Sequence, residues 1–112
     1  MVDRQRIGKN NKVRGAQEER NVLALLQSYF GEEFHRVGNR GTSSADVESE
    51  TLVIEVKSRQ SSSWRLLRDA WAQIEVAAEE TGKEPWIVVS NVDARRRVRW
   101  LITKLPDVEK EQ

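Results

Sequence analysis

Residues 51–57, TLVIEVK, are rich in β-branched side chains and bounded by polar clusters, the pattern of a strand. Side chains alternate along a strand, so Leu52, Ile54 and Val56 share one face and Val53, Glu55 and Lys57 the other. One face of a core strand therefore carries two opposite charges. Isolated E-x-K tripeptides are commonly no more than same-face ion pairs, so the neighbouring elements decide whether this one carries chemistry.

Downstream, after RQSSS, the positions Trp64, Leu67, Trp71, Ile74 and Ala78 step by three and four residues and Gly82 stands where a helix ends. Pro85 to Ser90 and Val98 to Thr103 are strand-like, and NVDARRR between them reads as a hairpin loop. Upstream, Val22, Leu23, Leu26, Tyr29 and Phe30 recur at helical spacing between Gly15 and a terminating Gly31. Glu33 to Val37 and Ala45 to Glu48 are candidate short strands around the polar loop GNRGTSS. The order is αβββαββ, which predicts an α/β or α+β domain with a mixed central sheet flanked by two helices.

A chain of 112 residues is the size of one domain. Residues 1–13 are basic and aperiodic and are expected to form a flexible arm; 14–105 hold the folded domain, and 106–112 form an acidic tail. An apolar content of 38% with few Gly and Pro predicts a folded protein despite 33% charged residues. The absence of cysteine excludes disulfides, thiolate metal sites and a thiol nucleophile. No apolar signal core and no run near the roughly 20 residues of a membrane span is present, so a cytoplasmic protein is expected, in a host cytoplasm if phage-encoded. The net charge of +1 does not itself call for nucleic acid. It is unevenly spread, with Arg4, Arg6, Lys9, Lys12, Arg14 and Arg20 at the start and Arg95, Arg96, Arg97 and Arg99 in a second cluster. Such runs are either solvated surface or local basic patches.

Glu19 stands three, four and seven residues before Val22, Leu23 and Leu26, which places a carboxylate on the inward stripe of the first helix. A buried carboxylate needs a metal, a cation or water. The alternative is that Glu18 or Glu19 flanks the core near a helix start, where acidic groups suit the dipole. Asp46 lies one hairpin upstream of Glu55, where strand pairing would set the two carboxylates side by side. Asp46, Glu55 and Glu19 are hard oxygen ligands suited to Mg²⁺, with Mn²⁺ a substitute. Such an ion polarises a phosphate and lowers the pKa of a bound water, which Lys57 would orient or help deprotonate.

In that order, RGAQEER, the Arg36-Val37-Gly38 turn, the Asp46 hairpin and IEVK resemble the PD-(D/E)xK nuclease superfamily, and within it archaeal-type and phage Holliday junction resolvases. The resemblance spans about Lys12 to Ile102. It implies a restriction-endonuclease-like core, a magnesium-dependent DNA endonuclease and a homodimer that resolves four-way junctions by paired nicks. It implies catalytic roles for Glu19 rather than Glu18, and for Asp46, Glu55 and Lys57. It also implies that Arg20 and Arg36 serve the site or the phosphates and that the loop Gly38 to Ser44 approaches DNA. Ala45 stands where the motif has proline, a common variation that is compatible with Asp46 in this role, and the hairpin from Asp46 to Glu55 is short.

The basic arm and, within the domain, Arg14, Arg20, Arg36, Arg40 and Arg59 are expected to contact phosphates, since the site needs a polyanion beside the metal. Gln73 is a candidate accessory residue, or else an exposed helix former. His35 receives no role. The four tryptophans suit the core better than base stacking. The competing functions are a related structure- or end-specific nuclease of the same fold and a non-catalytic DNA-binding module.

Overall fold

A computed structural model describes residues 4–37, 45–59 and 63–107, and the side chains of these except residues 4–14 and Asp93. The elements are α1 (Arg4–Phe30), β1 (His35–Arg36), β2 (Val47–Glu48), β3 (Leu52–Ser58), α2 (Trp64–Thr81), β4 (Glu84–Asp93) and β5 (Arg96–Ile102). They form one five-stranded sheet in the order β1-β2-β3-β4-β5. Every neighbouring pair is antiparallel except β3 and β4, which run parallel. A parallel pair needs a crossover, and α2 supplies it.

The two helices cover opposite faces. Val22 and Leu26 of α1 pack on Leu52, Ile54 and Val88, while Ala70, Ile74 and Ala77 of α2 pack on Val53, Ile87 and Val89. The predicted mixed α+β fold, with its sheet between two helices, is therefore present. β3 is buried on both sides at Val53 and Ile54, so truncating either to Ala is expected to cost about 2–4 kcal/mol. Ser63 caps α2 by accepting the Leu66 N–H at 3.2 Å, and Gly82 ends it at φ 72°, donating its N–H to the Ala78 carbonyl. Gly31, also at φ 72°, ends α1 in the same way against the Gln27 carbonyl.

Some expectations are corrected. Helical backbone begins at Arg4 rather than near Gly15, so residues 4–13 are not an irregular arm. Arg, Gln and Lys extend a helix without any apolar stripe, which is why periodicity misses this part. Most of NVDARRR lies in the β4–β5 ladder, where Val92 pairs with Arg97 and Asp93 with Arg96, leaving a two-residue turn at Ala94 and Arg95. Both turn residues have positive φ, 48° and 67°, a conformation that costs a non-glycine residue about 1 kcal/mol. Tyr29, Trp64 and Trp100 are exposed rather than core, whereas Trp71 and Trp86 are partly buried against the two apolar clusters. The loop Gly38 to Ser44, Arg40 and most of the acidic tail lie outside the described residues.

One turn fixes the β2–β3 register, in which Val47 faces Ile54. The Ser49 hydroxyl accepts the N–H groups of Thr51 and Leu52 and donates to Glu32 Oε1 at 2.7 Å. The Thr51 hydroxyl donates to the same oxygen, also at 2.7 Å. These two donors hold the Glu32 carboxyl below the usual carboxylate range.

Candidate active site

Asp46 precedes β2, yet its backbone continues the ladder: its N–H donates to the Ile54 carbonyl, and its own carbonyl accepts the Val37 N–H, each at 3.0 Å. Its carboxylate Oδ2 accepts the Val56 N–H at 2.8 Å, which turns the side chain toward β3. Asp46 and Glu55 are thereby side by side, as strand pairing predicts. Lys57 Nζ lies 3.4 Å from Glu55 Oε1. Glu55 is buried, and its pKa is pushed up to about 8. Burial is the largest cause, followed by the charge of Asp46 and a hydrogen bond between the two carboxyls that needs a proton on one of them; Lys57 opposes the shift.

These side chains line a cleft of about 470 Å³ together with Gly15, Glu18, Glu19, Val56, Ser58 and Arg59. The α1 carboxylates thus reach the cleft that β3 lines, but the two differ. Glu19 accepts the Nε and Nη2 donors of Arg36 on Oε2, each at 3.0 Å, in a half-exposed pair. Glu18 is the buried one, only 6% exposed. It stands four and eight residues before Val22 and Leu26, the two fully inward positions of α1, so the inward line of the helix passes through Glu18 and not Glu19.

Glu18 has strong partners. Arg99 Nη2 donates to Oε1 at 2.7 Å and Arg99 Nε spans both oxygens, the Ser90 hydroxyl donates to Oε2, and Arg97 Nη1 stands 3.5 Å from Oε2. Burial pushes this carboxyl up, but the hydrogen bonds of Arg99 and Ser90 and the charges of both arginines outweigh it and hold the pKa low. Ser90, Arg97 and Arg99 were not singled out from the sequence. The arginine cluster is visible there, but not the strand parity that turns Arg97 and Arg99 toward α1.

Among the phosphate-contact candidates, Arg59 lines the cleft, anchored by its N–H on the Ser90 carbonyl at 3.0 Å. Arg20 is exposed on α1, and Arg36 is engaged by Glu19. The side chain of Arg14 and the whole of Arg40 lie outside the description. Gln73 is exposed on α2 and does not line the cleft. His35 Nε2 lies 3.9 Å from Glu48, whose carboxylate is shared with Lys83 at 2.9 Å, away from the cleft-lining groups.

Among the described residues, no three His, Asp or Glu side chains are gathered closely enough to hold a metal ion between them. The donor set nevertheless suits a hard cation. Two carboxylates forced together at Asp46 and Glu55 have one ammonium, Lys57, for two potential negative charges, and the proton that Glu55 retains to about 8 fills the deficit. Mg²⁺ binds through one or two carboxylates and otherwise keeps water and substrate oxygens, so this pair is a sufficient protein contribution. Glu19, held by Arg36, is not brought up to the pair as a third ligand. No helix among the described residues is long and apolar enough to cross a membrane. No family model, curated protein or solved structure matches the chain.

Proposed function

We propose that this protein is a magnesium-dependent DNA endonuclease with a restriction-endonuclease-like core, acting on four-way junctions as a homodimer. The observation that carries the reading is the Asp46–Glu55 carboxylate pair with Lys57 on the adjoining position of the same strand face, at the edge of an open cleft. Its resemblance in motif order to the PD-(D/E)xK nucleases supplies the substrate and the dimer. Asp46 and Glu55 would hold the ion, and Mn²⁺ has the same preference for hard oxygen ligands. When bound, the ion supplies charge neutralisation at the phosphate and a more acidic water.

The chain's own groups have separable tasks. Asp46, fixed by the Val56 N–H, and Glu55 would hold the ion in one place and so set where the scissile phosphate sits. Lys57 keeps donors beside Glu55 Oε1 and would orient the attacking water. Arg59 at the rim would hold the neighbouring phosphate, and the Glu19–Arg36 pair borders the same opening.

The test is cleavage of a labelled synthetic four-way junction and a matched linear duplex with Mg²⁺, using Glu55→Ala as control. Paired nicks at the junction alone, reduced at least about a hundredfold in the variant, are expected. Equal cutting of both substrates would remove the junction assignment and keep the nuclease. Binding without cutting on every DNA structure would leave a DNA-binding module.

A further inference from the structure

The β4–β5 hairpin carries a charged surface that the site above does not use. β3 ends its pairing at Ser58 opposite Ser90, while β4 continues to Asp93 and pairs with β5 as far as Arg96. The tip therefore projects beyond the end of the sheet where Ser58 and Arg59 line the cleft. It presents Arg95, Arg96 and Arg97, all exposed. Among the residues whose side chains are described, which leave out Asp93 opposite Arg96, no carboxylate forms an ion pair with Arg95 or Arg96.

Two further features single out this tip. Arg97 Nη1 is fixed at the cleft's rim, 3.0 Å from Ser90 Oγ and 3.4 Å from Ser58 Oγ, with Glu18 behind it. A guanidinium has five donors in a planar fork, so its remaining donors stay available to an anion at the opening. At the turn, Arg95 occupies a left-handed position, φ 67°, beside Ala94 at 48°. Asn-Gly would occupy such a turn without strain, so the charge at the tip is kept against the local backbone preference.

We infer that the β4–β5 hairpin is a basic ribbon that grips the phosphate backbone of a DNA duplex arm leading out of the cleft, with Arg97 at the rim and Arg95 and Arg96 further along. This rests on the proposal that DNA is the substrate, and adds where the arm lies. Phosphate contacts of this kind orient the duplex without reading sequence.

The test measures binding of a 20-base-pair duplex by fluorescence anisotropy in EDTA, across a salt series, without cleavage. R95A/R96A is expected to weaken binding about tenfold at low salt, alike for unrelated sequences, and to lower the slope of log K against log salt by about 2. R95K/R96K should keep the slope. A94N/R95G should raise the melting temperature by relieving the turn yet weaken binding, a combination that a purely structural role does not give. Lys104→Ala, past the other end of β5, should match the wild type. An unchanged slope in R95A/R96A would overturn the inference and leave the arginines as guards of the exposed β5 edge. Normal slopes and losses with no cutting of any DNA would remove the nuclease and keep the ribbon, whereas junction cleavage with an unchanged R95A/R96A slope would do the reverse.

Discussion

Two walls of one cleft bury carboxylates in opposite ways. On the sheet side, Asp46 and Glu55 lie together with one ammonium, that of Lys57, beside Glu55, and Glu55 retains a proton to about 8. On the helix side, Glu18 alone receives Arg99, Arg97 and the Ser90 hydroxyl, which hold its pKa below the usual carboxylate value. The first wall is short of positive charge and suits an incoming cation; the second is already neutralised. Burial by itself thus does not mark a reactive carboxylate. The balance of partners around it does, and that balance separates Glu55 from Glu18 although both are less than a tenth exposed.

The contrast is broken most forcefully at Arg99. Arg99→Ala leaves a buried carboxylate without its bidentate partner and is expected to destabilise the protein by about 3 kcal/mol, read by chemical denaturation. Glu18→Gln in that background should recover part of the loss. A denaturation midpoint unchanged from wild type in Arg99→Ala would mean that this wall is not held by charge pairing.

A pH series sharpens the comparison. Glu55 has a folded pKa raised from 4.5 to about 8, so without metal its contribution to stability is complete below 4.5 and is lost as pH rises through about 8. Glu18 and Glu32 are lowered, so theirs is present above 4.5 and is lost as pH falls through their depressed values. Glu55→Gln mimics the protonated form and should gain on the order of 2 kcal/mol over the metal-free wild type at pH 9. Added Mg²⁺ should flatten the same alkaline limb in the wild type. Parallel curves for the two proteins would contradict the charge deficit.

The smallest effect is expected at Glu19. Its pair with Arg36 is half-exposed, so Glu19→Gln should change the melting temperature by the equivalent of less than about 1 kcal/mol. A larger shift would place Glu19 with Glu18 as a structural carboxylate.

The parts legible in the sequence are those with a repeated physical signal. β3 and α2 are announced by alternation, by helical spacing and by Ser63 and Gly82 at the helix ends. Once β3 is placed, hairpin pairing brings Asp46 to Glu55. Choosing between Glu18 and Glu19 demands the rotation of α1 to within one residue, and Leu23 and Tyr29 blur it because neither is fully inward. β1 and β2 are two residues each, too short for alternation to register. Trp64 and Trp100 have core composition without core position, and nothing local reveals that. The Glu18–Arg99 pair joins groups far apart in the chain, so only the tertiary fold displays it.

The Ser49–Glu32–Thr51 clasp also governs what evolution can do with chain length. A strand slipped by one residue exchanges its faces, which here would turn Glu55 and Lys57 onto Val22 and Leu26 and expel Ile54. An inserted or deleted residue between Ser49 and Thr51 forces that exchange. The tip at Ala94 and Arg95 lies past the packed core, so its length can change while both walls of the cleft stay in place. Related chains should therefore vary freely in the second hairpin and hold the first to a fixed count.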